Sequence, residues 1–387
     1  LKKLYKILIT FFAFCLFTFA FIMPLNPVGN WYQQFMPNLN GRTIVDITFT
    51  DCLTGYAVTN NLSVADTGYI LKTTNSGDNW IFSFIVNRGF TAIEFINMTT
   101  GYACGGSGGG TTYLCKTTNA GINWSLVNSP STAKWDDMHV LSNDTIWLVE
   151  DDGFAGGVFF SSDGGLNWHR QLDLGNQNPE KIYMYNARIG FVTRINSGSP
   201  YIRRTSDGGQ SWQIIVSNQA YRDIYFSDSL KGWRAWGNSM YMTTNSGISW
   251  ITQLLPAGGN IITTGIYEFS NINQDTIIGA GGWVQYPNGQ ARGILYRTIN
   301  GGKNWQYQVP DTSINIFQYY FLQFLNKRIG WAYSVTNGIH TTDGGEINWI
   351  TPIEGIYTEI PLEFKLFQNY PNPFNAMTKL KFQMSKQ

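Results

Sequence analysis

The sequence predicts an all-β fold: a seven-bladed β-propeller with four antiparallel strands per blade, spanning 30–354. Three observations predict it. A short Asn/Asp–Gly–Trp box occurs seven times, a second apolar motif occurs seven times in step with it, and the commonest interval between boxes is 44 residues. An interval of ~40–45 residues is the length of four short strands with their turns, the size of one propeller blade.

The boxes come in order along the chain. The first three are TTNSGDNW (Asn75, Gly77, Trp80), TTNAGINW (Asn119, Gly121, Trp124) and SSDGGLNW (Asp163, Gly165, Trp168). TSDGGQSW (Asp207, Gly209, Trp212) and TTNSGISW (Asn245, Gly247, Trp250) follow. The last two are TINGGKNW (Asn300, Gly302, Trp305) and TTDGGEINW (Asp343, Gly345, Trp349), the latter one residue longer. Successive tryptophans are 44, 44, 44, 38, 55 and 44 residues apart.

The second motif runs ITFTDCLTGYAV from Ile47, IEFINMTTGYAC from Ile93, MHVLSNDTIWLV from Met138 and IYMYNARIGFVT from Ile182. It continues as IYFSDSLKGWRA from Ile224, YEFSNINQDTIIGA from Tyr267 and LQFLNKRIGWAY from Leu322. Each unit therefore reads as two alternating apolar runs around an Asx/Gly turn (strands a and b), a third run reaching the box (c), and a fourth starting at tryptophan (d). No segment has helical periodicity. The stretch NWYQQF at 30–35 resembles a strand d without a box, so one of the two chain ends supplies a redundant strand; the sequence leaves open which.

Each box position has a mechanical reading. Asn or Asp at the third position bonds backbone amides ahead of it and folds the turn. Glycine at the fifth supplies a positive φ cheaply. Tryptophan opens strand d and packs its face on the neighbouring blade. These residues resemble the Asp-box (BNR-like) repeat, S/T-x-D-x-G-x-x-W, of sialidases, sortilin-like receptors and several glycoside hydrolases. With its F-x-[DN]-x-x-x-G-[YW]-A half, the whole unit resembles the photosystem II assembly and stability factor family over some 320 residues. The resemblance implies the propeller; it does not fix a function, because the same repeat serves enzymes and binders.

Composition narrows the classes. Aromatics at 16% and hydrophobics at 43% are enough for a sizeable core. Charged residues are only 13%, about half of the ~25% of an ordinary soluble domain, so Ser, Thr, Asn, Gln and Gly solvate the surface, as is common in exported proteins. A net charge of +1 gives no global field toward nucleic acid. At the N-terminus, Lys2, Lys3 and Lys6 precede an apolar run with Thr18 and Ala20 spaced for cleavage, which reads as a secretory signal peptide over 1–23. An uncleaved anchor is the alternative. Phe14 before Cys15 is not the small residue that lipid attachment needs. Of Cys52, Cys104 and Cys115, the last two either bridge neighbouring strands or stay as free thiols.

Beyond the propeller, 361–387 contains FKLFQNYPNPFNAMTKLKF, with Asn-Tyr-Pro-Asn-Pro-Phe-Asn and then an alternating run. It resembles the start of a type IX secretion system C-terminal sorting domain. That resemblance implies the secretion machinery as a partner, and a secreted or outer-membrane-surface location. Ala376 stands where the family has proline, and the chain stops after about one strand of that domain. A Pro-rich linker with an edge strand is the plain alternative.

Catalytic patterns fail in context. GGSGG at 105–109 matches G-x-S-x-G but lies between strands, whereas a nucleophile elbow needs strand–turn–helix. His139, His169 and His340 fall in different blades without metal spacing, and EDDG at 150–153 lacks alternating calcium-ligand spacing. No sialidase arginine triad aligns. The sequence thus offers no catalytic residue, metal or cofactor, although converging carboxylates of a glycoside hydrolase need no linear motif.

Binding residues are expected on the face that collects the d–a and b–c loops, because the meander puts the a–b turns and boxes on the other face. The aromatics there are Trp135, Phe154, Tyr201, Tyr221, Trp236, Trp283, Tyr286 and Tyr319. Six of the twelve arginines, Arg188, Arg194, Arg203, Arg204, Arg222 and Arg234, fall in blades four and five, and Arg194, Arg203 and Arg222 approach that face. The photosystem-factor resemblance implies partner docking through such a patch. The expected function is an exported, non-enzymatic module binding protein or glycan at the cell surface. The alternatives are an Asp-box glycoside hydrolase and, by resemblance alone, an assembly factor for a membrane complex.

Overall fold

The computed structural model describes residues 31–62, 67–106, 112–151, 156–195, 199–311, 313–345 and 349–350, together with the short strands Lys365–Leu366 and Phe382–Gln383. The segment 1–23, Ser107 and Phe154 lie outside the described residues. The chain divides into two units, Leu1–Thr351 and Pro352–Gln387. In the second, Lys365 pairs with Gln383 and Leu366 with Phe382 in an antiparallel ladder.

The first unit is the seven-bladed propeller, each blade an antiparallel meander. Blades one to five are 44–87, 90–127, 134–175, 181–217 and 223–253; blade six is 261–308; blade seven is 321–341 completed by Tyr32–Phe35. Strand b is buried on both faces, as in GYAVT and GYACG, where every residue is buried. Its near-continuous apolar run is what such a central strand needs. Strand d is an outer edge: in Ile81–Asn87 no residue is fully buried, and only Ser83, Phe84 and Val86 are half-buried while the rest are exposed.

The core is distributed between blades rather than concentrated within one. Seven apolar clusters each join two neighbouring blades, and together they close the ring. In six of the clusters a box tryptophan sits between its own blade and the preceding one, as Trp80 against Trp331 and Tyr333 of blade seven and Trp124 against Tyr56 and Val58 of blade one. Trp80 also meets Phe49 edge-on, with centroids 5.8 Å apart.

The ring closes through its N-terminus. Tyr32–Phe35 pairs antiparallel with Asn337–Thr341, from Tyr32 opposite His340 to Phe35 opposite Asn337. Trp31 then takes the place that the box tryptophan holds in other blades. It is 4% exposed, meets Phe324 edge-on at 5.8 Å, and lies against Gly345 of the seventh box. Trp349 instead lies over Arg297 at 4.4 Å, while Ile350 bridges Tyr307 on the outer edge of blade six.

Blade six departs from the pattern because its b–c hairpin is long. Ile277–Gln285 and Ala291–Thr298 extend beyond Glu268–Asn271, and Ile261–Thr263 pairs with the length left over. The cysteine alternatives also resolve. Cys104 is opposite Leu114 and Cys115 opposite Ala103, so the two side chains project from opposite faces of the sheet and both are free.

In the boxes, the first hydroxyl receives the glycine amide, as in Gly77 N–H to Thr73 Oγ1 at 3.0 Å and Gly209 N–H to Thr205 Oγ1 at 2.8 Å. The third residue receives the amide four positions on, as in Asn79 to Asn75 and Ser211 to Asp207, both 2.9 Å. Two successive residues, not one, are left-handed: Ser76 and Gly77 at φ 64° and 93°, Ala120 and Gly121 at 57° and 69°. That double reversal turns the fourth carbonyl toward the preceding blade. There Trp331 Nε1 donates to Ser76 O (2.7 Å), Tyr56 OH and Lys72 Nζ to Ala120 O (2.8 and 2.7 Å), and Arg204 Nε to Ser246 O (2.7 Å).

Candidate functional site: the axial channel and the cleft at its mouth

The seven inner strands line an axial channel. Each pairs with strand b on one side only, so its other edge carries unpaired amides that need acceptors. Two tiers of side chains supply them across the gap to the next blade. At equivalent ladder positions the first tier is Asp46, Ala92, Asp137, Lys181, Asp223, Glu268 and Phe321. Asp46 accepts from the Ile93 amide (2.7 Å), Asp137 from Ile182 (2.9 Å), Asp223 from Phe269 (2.6 Å) and Glu268 from Leu322 (2.8 Å).

Two residues further on, the second tier repeats the device. Glu94 accepts from Val140 (2.6 Å), Tyr183 OH from Phe226 (3.2 Å), Ser270 Oγ from Phe324 (2.7 Å) and Gln323 Oε1 from Phe49 (2.6 Å). Where a tier residue cannot accept, the next blade serves itself. Lys181 faces Ile224, whose amide goes to Asp223 Oδ1 at 2.8 Å, and Phe321 faces Ile47, whose amide goes to Asp46 Oδ1 at 2.8 Å.

Five carboxyls and one ammonium thus share a cavity of about 510 Å³. Burial pushes Asp46 and Asp223 up to about 6, with their backbone hydrogen bonds opposing the shift. Burial likewise holds Glu94 and Glu268 well above the usual carboxylate range, and raises Asp137. Lys181, 3.8 Å from Asp137, is raised by that charge and keeps its proton. His139 is pushed down to about 4 by burial, so it is neutral at pH 7.

At the channel mouth, between blades three, four and five, a second cavity of about 510 Å³ shares Lys181 and Arg222 with the channel. Its acids are already engaged: Asp136 with Lys134, Asp151 with Asn178, and Glu180 Oε1 with the Ile195 amide at 2.9 Å. Two of its cations are not. Among the described residues, neither Arg194 nor Arg222 is paired with a carboxylate. Arg222 is exposed and lies over the Tyr267 ring at 4.3 Å, and Tyr320 meets Tyr267 edge-on at 4.8 Å. The arrangement offers two open guanidiniums, one of them on an aromatic shelf at the rim of the acidic channel, which suits an anionic group carried on a larger ligand.

The sequence-derived face divides under this geometry. Trp135, Tyr201, Tyr221 and Tyr319 are buried, not surface platforms. Each folds back onto strand ends: Trp135 Nε1 donates to Ser129 Oγ (3.1 Å), Tyr201 OH to Gln177 O (2.9 Å) and Tyr221 OH to Phe191 O (2.9 Å), while Tyr319 lies in the cluster between blades six and seven. Trp236, Trp283 and Tyr286 stay partly exposed, Trp283 beside Phe317 at 5.0 Å, but they belong to blades five and six, and none lines the cleft.

The arginine cluster also dissolves. Arg234 is 1% exposed and donates to Ala220 O (2.9 Å), Arg204 clamps a box, and Arg203 lies 5.2 Å over Tyr201. Only Arg194 and Arg222 line the cleft. Sequence reading missed the channel ring. Its signal was there, because Asp46, Asp137, Lys181 and Asp223 each stand immediately before an occurrence of the second motif.

No family model matches the sequence, and no curated protein does. Among solved structures, the chain is similar to YCF48 bound to D1 peptide: TM-score 0.58, 16% identity, covering 82% of this chain and 99% of that one. It is likewise similar to YCF48 from Cyanidioschyzon merolae, with TM-score 0.59 and 15% identity over 82% and 100% of the two chains. A GH74 xyloglucanase from Xanthomonas campestris matches at TM-score 0.56 and 12% identity, over 82% of this chain and 54% of its own. The likeness is one of fold. It spans a factor seen with a peptide and an enzyme, so the site must carry the functional argument.

Proposed function

We propose that this protein is a non-enzymatic, exported propeller that binds an anionic segment of a partner polypeptide in the cleft at the mouth of its channel. The observation that carries the proposal is the pair Arg194 and Arg222, unpaired among the described residues and lining one cavity of about 510 Å³. Arginine left without a carboxylate at a concave site is the usual receiver for a carboxylate or phosphate, and the Tyr267–Tyr320 shelf adds apolar contact area for the rest of the ligand. A peptide-bound neighbour of similar fold supports a protein ligand. Export rests on the basic-then-apolar N-terminus and on the sorting-like tail.

The carboxyls converging on the channel favour a glycoside hydrolase as the second reading. Against it, Asp46, Glu94, Asp137, Asp223 and Glu268 each have an oxygen committed to a backbone amide of the next blade. A nucleophile or general acid needs its carboxyl free for the sugar.

The test is retention on an array of immobilised acidic peptides, run beside a panel of fluorogenic glycosides. The expected result is selective retention, weakened at least about tenfold by Arg194→Ala with Arg222→Ala, as for loss of charge-assisted bonds, and no turnover. Retention unchanged in the double variant removes the site. Turnover, or retention only on a parallel glycan array, removes the proposal.

A further inference from the structure

Arg234 lies buried in strand b of blade five, Gly232–Trp236. The ladders place Ala57, Ala103, Leu148, Val192, Gly279 and Ala332 at the same position in the other blades. Blade five alone puts a charge where the ring otherwise has a small or aliphatic residue.

That charge has no counter-ion. Among the described residues no carboxylate pairs with the guanidinium, which lies instead 3.9 Å from the Tyr241 ring centroid and 5.2 Å from that of Trp250. Its Nε has no acceptor. Burial lowers its pKa only to about 10, so it keeps its proton at pH 7. A buried cation without an ion pair is unfavourable, and the two rings offset only part of that.

What the charge holds is a loop. Nη1 donates to Ala220 O at 2.9 Å and Nη2 to Gln219 Oε1 at 2.7 Å, so both bonds reach the connection from blade four to blade five, 218–222. That loop reverses through Asn218, left-handed at φ 61°, and ends with the Arg222 amide donating to Ala235 O at 2.7 Å, one residue from Arg234. Arg222 thus leaves the loop at a fixed point, over the Tyr267 ring and into the cleft. Charge-assisted bonds are stronger than neutral ones, and a short irregular segment needs such bonds to keep one conformation.

We infer that Arg234 is the positioning residue of the anion site: it touches no ligand, and by clamping Gln219 and Ala220 it sets the guanidinium of Arg222. The inference rests on the reading of the cleft proposed above. It separates Arg234 from an ordinary core residue, because Arg234→Met has opposed effects on the fold. An unpaired buried charge is relieved, while the Ala220 carbonyl loses its donor and turns to water as the loop loosens.

The test uses the full-length chain with Arg234→Met and Gln219→Ala, each alone and combined with Arg222→Ala. It is read by amide exchange without ligand and by retention on immobilised acidic peptides. In Arg234→Met the Arg222 amide exchanges at least about tenfold faster, while the amides of Tyr56–Val58 in blade one keep their rates, as local opening requires. Gln219→Ala, which removes one acceptor and leaves the core intact, moves the same amide in the same direction. Affinity for the peptide that the parent retains falls at least about fivefold in Arg234→Met, the size of a lost hydrogen bond. That loss vanishes when Arg222 is already Ala, because the effect passes through it. An Arg222 amide that keeps its rate overturns the inference, and so does an equal loss of affinity in the Arg222→Ala background. If Arg234→Met fails to fold, Gln219→Ala decides by the same two readings. A parent that retains no acidic peptide removes the reading of the cleft and not the clamp, which the exchange rates decide alone.

Discussion

Ala120 holds φ at 57° in the fourth position of its box. A left-handed conformation of that kind costs an L-residue ~1–2 kcal/mol. Four other boxes place glycine there, at Gly164, Gly208, Gly301 and Gly344, whereas Ser76 and Ser246 offset the cost with hydroxyl bonds to Cys52 O and Ser229 O. Ala120 has no such bond, so Ala120→Gly should stabilise the protein by about 0.5–1 kcal/mol once the extra chain entropy of glycine is subtracted. A thermal melt checks this, and an unchanged or lower midpoint would count against the strain. Trp80, 6% exposed in its inter-blade cluster, tests the wedge: Trp80→Ala should cost ~3–5 kcal/mol in urea titration and leave ligand affinity of the folded fraction intact. The turn residues and tryptophans were legible in the sequence because each recurs seven times at fixed spacing. The left-handed fourth position was not, since Ser, Ala and Gly share no side-chain signature.

The inner strands carry the pH dependence. Asp46 and Asp223 titrate near 6 in the folded protein, above their ordinary range, because burial disfavours the charged form. With Glu94, Asp137 and Glu268 raised as well, these carboxyls hold more protons in the folded state than in the unfolded chain between about pH 4 and pH 6. They outnumber His139 and His340, which burial pushes down to about 4 and about 3 and which act in the opposite sense. Their stabilising contribution is full below that window and is lost as the pH rises through 6. Urea midpoints should accordingly be higher at pH 5 than at pH 7.5. Asp223→Asn removes the charge, but its single carboxamide oxygen can accept only one of the Phe269 and Ile224 amides, so it should lower the midpoint at pH 5 and shrink the difference between pH 5 and pH 7.5. A midpoint that rises toward alkaline pH would show that the channel charges are not the dominant titration. Inner strands were predictable as apolar runs, but their channel-facing residues vary from Asp to Lys to Phe, so period-2 patterning alone did not mark them. Strand d was harder still: it lies on an edge with half its side chains in water, and Trp31–Phe35 enters blade seven from the far end of the chain.

At the scale of the whole molecule, the ring has two faces with different duties. The boxes tie each blade to the one before it, so substitutions there change stability. The cleft at the channel mouth is built from Arg194 at the end of Gly190–Arg194 and from Arg222 just ahead of Asp223–Phe226, and among the described residues neither is paired with a carboxylate. The face was deducible from the meander, and the two arginines were among the residues expected on it. The aromatics were not separable by sequence, because a tyrosine at a strand end looks the same whether its ring turns outward or back into the core, as the rings of Tyr201 and Tyr221 do. The most direct test is a hydroxyl-radical footprint of the full-length protein with and without a peptide selected on the acidic array. The account predicts protection of Tyr267 and Tyr320 at the channel mouth, with the box face unchanged. Protection confined to the box face, or to Trp283 and Phe317 on blade six, would contradict it.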